Sequence, residues 1–413
     1  MIFVMKILAI ETSCDESSIS LFTATETSSG VNFEVSSTIT QSQIDLHKDF
    51  GGVFPAMGRR EHQKNLVPIL LKILNQDVPT DTQSENYSEI EQILSREAEL
   101  LTLFKKYVTP IKNPGIDYIC VTSGPGLEPA LWVGISFAKA LGALWNIPVI
   151  PVNHMEGPIL SVLVPESATG NSNSFSVQTE LFPFPALALL ISGGHTEIVL
   201  VKNIGDYEII GRTRDDAVGE AFDKVARILG LPYPGGPEVS KIALTYDTVS
   251  EPIIKLPRPM IHSKDYDFSF SGLKTAVLYF VKEHTANPDL TISNAFADKG
   301  YDANRLSDEM KAAIAYEFQE AATEVITKKT LSAIHDFGIQ TLIVGGGVSA
   351  NKRIKESLMN EISEIIPTEN IHFPTRELTG DNALMIGLAG YYKIKKAPDT
   401  VYNDIRAEGN LKL

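Results

Sequence analysis

Cysteine is scarce in this chain. Its 413 residues include two, Cys14 and Cys120, and nothing at Cys-x-x-Cys spacing. That argues against a disulfide framework or a thiolate zinc site and fits a reducing cytoplasm. Long apolar runs are also missing. The longest are strand-length or amphipathic and fall short of the roughly 20 residues of a membrane span. The start, "MIFVMKILAIETS", has one lysine and no small-residue cleavage site before acidic residues begin, so it reads as a strand rather than a signal peptide. Positive charge is in short supply, with 36 Lys and Arg against 51 Asp and Glu and a formal net charge of −15. A broad, nonspecific nucleic-acid surface is therefore not expected. A local basic patch remains open, as does help from a partner protein. Two nucleotide fingerprints are absent: no P-loop, and no Gly-x-Gly-x-x-Gly after a strand.

What is present is a soluble globular composition, 43% hydrophobic and 21% charged, at a length that suits two domains. "KILAIETSCDESSISLFTA" reads as strand, polar turn, strand, and "ALALLISGGHTEIVLV" repeats that plan. Each is followed by another strand-like stretch, "VNFEVSSTIT" and "DYEIIGRTR", which suggests an internal duplication. Helical periodicity puts His62, Leu66, Ile69, Leu70 and Ile73 on one face. It does the same for Val218, Phe222, Val225, Ala226 and Leu229. Further helices are predicted over 307–336, 350–363 and 381–394. Strands alternating with helices give an α/β class. Residues 78–113 read as a polar insertion around a short helix, 165–183 as a mobile loop and 284–306 as a third loop.

Glycine turns at strand ends are the main chemical signal. "TSGPGL", "LPYPGGP" and "GGGVSAN" join "LLISGGH" in the two halves. Glycines let a backbone approach a ligand, and N–H groups at a helix start favour an anion. Each turn alone is an ordinary connection. Together they favour a nucleotide in a cleft between domains. Asp223 can accept from ribose hydroxyls or be a solvated helix-face residue. Asn351 can cap a helix or bind a ligand.

"HMEGP", residues 154–158, is ambiguous by itself: a metal site, a damaged one, or a turn that starts a helix. In order along the chain come "ILAIETSCDES", "GGVFP", "TSGPGL", "HMEG", "LLISGGHTEIVLV", "DDAVGEAFDKVARILGLPYPGGP", "FSFSGLKTAV", "GGGVSANKRI" and "TGDNALMIG". This set resembles the tRNA N6-adenosine threonylcarbamoyltransferase family, called TsaD in bacteria. The resemblance implies the actin-like ATPase fold, two duplicated RNase H-like α/β domains around a nucleotide cleft. Domain boundaries are expected at 1–150, completed by a C-terminal helix over 381–413, and at 151–380. It implies transfer of threonylcarbamoyl from threonylcarbamoyl-adenylate to the adenosine just 3′ of the anticodon, with AMP leaving. It also implies a paralogous TsaB-like subunit and a TsaE-like small ATPase as partners.

By motif position, Ile191, Ser192, Gly193, Gly194 and His195 match the loop over the acyl-adenylate. Asp223, Gly236 and Asn351 match its ribose and adenine contacts. Asp15 and Glu16 match the acidic pair facing the reacting centre, and His154 and Asp381 match metal ligands. The family's metal motif is His-x-Glu-Gly-His, and here Pro158 replaces the second histidine. A divalent cofactor, iron or zinc in the family with magnesium as an alternative here, is thereby put in question. Ala56 likewise replaces a family glutamate in "PAMGRREH", where Arg60 and His62 remain. For His62 a core role is expected. Candidate tRNA contacts are Arg59, Arg60 and Lys64, and Lys352, Arg353 and Lys355. Three rivals stand beside the transferase: a metallo-endopeptidase, which needs His-Glu-x-x-His, an ATPase or small-molecule kinase of the same fold, and a noncatalytic assembly subunit.

Overall fold

The computed structural model describes residues 3–48, 52–75, 87–165, 174–178, 182–248, 253–285, 301–402 and 404–413. The first half opens with three strands, β1 (Val4–Glu11), β2 (Glu16–Thr27) and β3 (Gly30–Ser42). Helices α1 (Ile44–His47), α2 (Pro55–Ile73), α3 (Ser88–Ile93) and α4 (Ala98–Tyr107) follow. Then come β4 (Tyr118–Gly124), α5 (Glu128–Trp145), β5 (Val149–Asn153), α6 (Glu156–Ser161) and β6 (Ser174–Gln178). The second half has β7 (Ala186–Ile191), β8 (Thr196–Asn203), β9 (Asp206–Arg212), α7 (Val218–Ile228), α8 (Gly235–Ala243), α9 (Ser271–Thr285), α10 (Asp308–Phe337), β10 (Leu342–Gly345), α11 (Lys352–Ile362), β11 (Ile371–His372) and α12 (Ala383–Lys396).

The duplication is explicit in the two sheets. The first runs β5-β4-β1-β2-β3-β6 and the second β11-β10-β7-β8-β9. In both, the leading strand pairs antiparallel with the second and parallel with the fourth. The third strand is antiparallel to the second, and the fifth parallel to the fourth. Strand order and direction match position by position, which is the duplicated α/β plan of the actin-like ATPase fold. The central strands read as continuous apolar runs because both sheet faces are covered. Ile7, Leu8, Ala9 and Ile10 of β1 are fully buried.

On one face of the first sheet, α2, α4 and α5 pack through Leu66, Leu70, Phe104 and Phe137. On the other, α12 packs through Ile386 and Leu388. The second sheet carries α7, α10 and α11 on one face, with Phe222 against Phe318. Its other face meets Met155 and Ile159 around α6. Caps mark the helix ends as local chemistry requires. Ser307 accepts from Met310 N at 3.1 Å at the start of α10, and Gly338 ends it at φ 62°.

Three expectations change. Residues 174–178, inside the expected 165–183 loop, form β6 on the edge of the first sheet. Phe175 and Val177 alternate inward there, and the Phe175 ring lies 5.3 Å from that of Phe33. The described part of 78–113 holds two helices, not one, anchored by Ile90, Leu100 and Phe104. Beyond α12 the chain is not helical; it runs back along the first sheet's strand ends, as described below. Residues 165–173 and 286–300 include stretches outside the described residues.

Candidate active site

The candidate site lies where the carboxyl ends of the two sheets meet. β1 ends in Glu11, a carboxylate with no exposed surface at the tip of an apolar strand. A buried charge there requires partners, and it has them. Its Oε2 takes the Thr122 hydroxyl at 2.6 Å and lies 3.1 Å from His154 Nδ1. The backbone N–H of Ser13 donates to its other oxygen. His154 leads from β5 into α6, and its backbone N–H is held by Gly124 O at 2.7 Å. Its Nε2 faces Asp381 Oδ1 at 3.4 Å. Asp381 precedes α12, which Asn382 caps through Met385 N. The imidazole thus sits between two carboxylates. Burial works against its charge, but Asp381 and Glu11 outweigh burial and hold its pKa well above the usual value. The Asp381 carboxyl is held down in turn, because His154 outweighs the effect of burial.

Asp15 and Glu16 open β2 beside this ion pair. Burial, with Asp381 and Asp15 adding repulsion, pushes Glu16 up to about 10. Glu16 therefore carries a proton at neutral pH and is hydrogen-bonded to Asp15. His195 approaches from the second sheet. Burial and then His154 lower it to about 4. Its turn is built by Ser192, whose Oγ accepts from His195 N at 3.0 Å and Gly194 N at 3.3 Å. Gly193 and Gly194 face open space.

The two hairpin turns are matched by duplication, and so are the turns that pack on them. A Cβ on Gly126 would stand 2.7 Å from Ser13 O, and one on Gly346 would stand 2.5 Å from Ile191 O. Gly346 also has φ 88°. Only glycine lets each of these turns close against its hairpin. The C-terminal segment reinforces the first turn. Glu408 N donates to Ser123 O, Gly126 N to Gly409 O, and Asn153 Nδ2 to Lys412 O.

The expected nucleotide residues are gathered on the second half of the cleft. Asp223 is not a solvated helix-face residue: its Oδ1 accepts Gly235 N at 2.7 Å and clamps the turn carrying Gly236. Asn351 is an N-cap, accepting from Arg353 N and Ile354 N. Its Nδ2 reaches Ser240 Oγ at 3.0 Å and Gln319 Oε1 at 3.2 Å.

Pro158 occupies the first turn of α6, where a missing N–H costs no helix bond. It is buried against Gly345 at the end of β10. Among the described residues, no three His, Cys, Asp or Glu side chains are arranged to hold a metal ion. His154 and Asp381 form an ion pair and offer two donors, one short of the usual three for a catalytic transition metal. The donor set does not fit the family's three-ligand site.

Sequence reasoning missed two features. Glu11 was visible as a lone acid ending "ILAIE". His62 is buried as expected, yet it contacts the acidic turn rather than only the core. Its Nε2 lies 3.1 Å from Cys14 O and its Nδ1 2.8 Å from Ser17 Oγ. Ala56, by contrast, is exposed and touches none of this chemistry.

Two sheets of matched α/β plan, meeting at an acidic, histidine-bearing cleft between matched glycine turns, define a protein of the actin-like ATPase fold. Comparison with known proteins places it within that class. The family model for TsaD, tRNA N6-adenosine threonylcarbamoyltransferase, matches residues 34–81 and 103–388. A relative of that name from Nitrosospira multiformis is 37% identical over 95% of this chain and 92% of its own. Another, from Persephonella marina, is 36% identical over 99% of this chain and 95% of its own. The activator of 2-hydroxyisocaproyl-CoA dehydratase from Clostridium difficile covers 97% of this chain and 99% of its own. At 13% identity and a TM-score of 0.39 it carries no argument. The chain belongs to the TsaD family, and no helix among the described residues is long and apolar enough to cross a membrane.

Proposed function

We propose that the protein transfers the threonylcarbamoyl group of threonylcarbamoyl-adenylate to N6 of the adenosine just 3′ of the anticodon, in tRNAs that read codons starting with A. The observation that carries this reading is near full-length similarity to enzymes of that name. We place the reaction in the cytoplasm, with a TsaB-like subunit and a TsaE-like ATPase as partners.

The donor is a mixed anhydride and already activated, so the enzyme's task is orientation and charge. The adenylate lies along the second half of the cleft. Its ribose meets the Asp223 carboxylate, which the Gly235 and Gly236 N–H groups hold in place. Asn351 reaches the base by exchanging its contact with Ser240 or Gln319. The open Ile191–His195 turn covers the phosphate and the acyl group, where the bare Gly193 and Gly194 let them approach the backbone. The tRNA amine attacks the carbamoyl carbon, a C–N bond forms, and the C–O bond to phosphate breaks. Asp15 takes the amine proton, since Glu16 already holds one. Glu11 fixes the ring of His154, whose positive edge steadies Asp381 and the charge developing nearby. For the divalent ion that the resemblance implies, the two donors are His154 and Asp381. Binding it there means displacing their shared proton, and no step above depends on it.

The test is reconstitution with unmodified tRNA, the acyl-adenylate and the partner subunits, read by nucleoside analysis. Modified adenosine and AMP in equal amounts are expected. Absence of the modified nucleoside under every condition sinks the reading and leaves an assembly role.

A further inference from the structure

Most of the basic clusters expected from the sequence to meet tRNA are already engaged. Arg59 pairs with Glu97 at 3.0 Å and Lys64 with Glu61 at 2.6 Å. Arg353 grips Glu320 with Nε and Nη2 at 2.6 and 2.7 Å, and Lys355 lies over the Phe373 ring. A different cation stands free beside the reacting centre. A cavity of about 480 Å³ opens against the β7–β8 turn, lined by Gly194, His195, Glu197, Arg212, Arg214 and Asp267 among others.

The two arginines there differ in freedom. Arg214 is locked, with Nη2 2.7 Å from Asp265 and Nε 2.9 Å from Asp267. Arg212 is exposed, and among the described residues its guanidinium makes no hydrogen bond or ion pair, although Glu197 lies opposite it across the β8–β9 pair. Only its backbone is tied, with N donating to Asp267 Oδ1 at 2.9 Å. Lys412 of the C-terminal segment acts by charge on the half-buried Glu197 carboxyl together with Arg212. Two arginines therefore line one opening whose wall includes His195, and Arg212 is the one not held in an ion pair.

We propose that this cavity binds a backbone phosphate of the tRNA, with Arg212 as its principal contact. The inference rests on the transfer reaction proposed above. Delivering an adenosine to that centre brings phosphodiesters towards Glu11, Asp15 and Asp381. In a chain of net charge −15 that approach is repelled unless cations stand beside it. A free guanidinium offers a planar fork matched to phosphate oxygens, while Arg214, already matched by Asp265 and Asp267, leaves that role to Arg212.

The experiment uses the full chain with its partner subunits. Wild type, Arg212→Gln, Arg212→Lys and a control, Lys328→Gln on α10, are compared. One arm measures Kd for a labelled, unmodified anticodon stem-loop across salt concentrations. The other measures KM for tRNA and for the acyl-adenylate, with kcat. Loss of one phosphate contact predicts that Arg212→Gln raises Kd and tRNA KM about tenfold and lowers the salt slope by about one. Donor KM and saturated kcat stay unchanged, Arg212→Lys is intermediate, and Lys328→Gln matches wild type. An unchanged tRNA Kd, or an equal effect of Lys328→Gln, overturns the proposal. A rise in donor KM instead assigns the cavity to the adenylate phosphate and also overturns it. The stem-loop arm needs no turnover. Arg212-dependent binding without transfer therefore leaves this site standing and removes the proposed activity.

Discussion

Glu11 Oε2 stands 3.1 Å from Nδ1 of His154, at the exact level where the first sheet ends and the cleft begins. The carboxylate is fully buried, and it also satisfies Thr122 and the Ser13 backbone. Removing it leaves three groups without their acceptor. Glu11→Ala is expected to destabilise the fold by about 3 kcal/mol, the scale for breaking a buried charged pair. Glu11→Gln keeps the shape and most of the stability but loosens the His154 ring. Its transfer rate should fall roughly 10- to 100-fold, as for other groups that orient a site histidine. Denaturant titration and single-turnover transfer measure the two effects separately. A Glu11→Gln enzyme with wild-type rate rules out the orienting role.

Asp15 and Glu16 divide their work by protonation. Since Glu16 holds the proton at neutral pH, Glu16→Gln replaces one neutral donor with another and should cost little, less than about tenfold in kcat. Asp15→Asn removes the proton acceptor and should cost on the order of 100- to 10,000-fold in kcat. Donor binding, followed by a nonreactive analogue, should stay near wild type in both. Equal losses for the two variants contradict this assignment.

How much of this was legible beforehand depends on which interactions are local. The hairpin repeat announced the duplication because alternating apolar runs separated by glycine turns are a local pattern. The helices over 55–73, 218–228 and 308–337 followed from apolar spacing for the same reason. The residues of the two turns, and Asp381, were placed by motif likeness rather than by spacing. β6 was hidden because five residues in a Ser/Asn-rich stretch become a strand only when β3 offers an edge. Arg212 looked like any strand-end cation. Its freedom is a comparison with Arg214, Arg353 and Arg59, whose acidic partners lie from 33 to 53 residues away in sequence.

Pro158 offers a direct test of the incomplete donor set. The residue is buried and packed so closely on Gly345 that a Cβ there would stand 2.8 Å from Pro158 O. Pro158→His restores two histidines four apart and adds a third donor to His154 and Asp381. Elemental analysis after dialysis should find more bound divalent transition metal in the variant than in wild type. A chelator should then slow the variant more than the wild-type enzyme. Equal metal content in the two proteins argues that position 158 does not reach the His154–Asp381 pair.

His62 predicts a pH signature in stability. Burial holds it down at about 4 in the folded chain against an ordinary value of 6.5, so the folded ring stays neutral where the unfolded one gains a proton. Below pH 6.5 the unfolded chain therefore binds more protons, and stability falls as pH falls. The loss is at most about 1.4 kcal/mol per pH unit and ends near pH 4, where the folded ring also titrates. Above pH 6.5 the contribution of His62 is complete. His62→Gln gives up the contacts to Cys14 O and Ser17 Oγ, so at pH 7 it should be less stable than wild type by about 1–3 kcal/mol. It lacks the titration, however, so the gap between the two proteins should narrow steadily from pH 6.5 to pH 4 in urea unfolding. Because other titrating groups are common to both, the difference isolates the ring. A gap that stays constant with pH means that the ring is not held neutral under the Cys14–Asp15 turn.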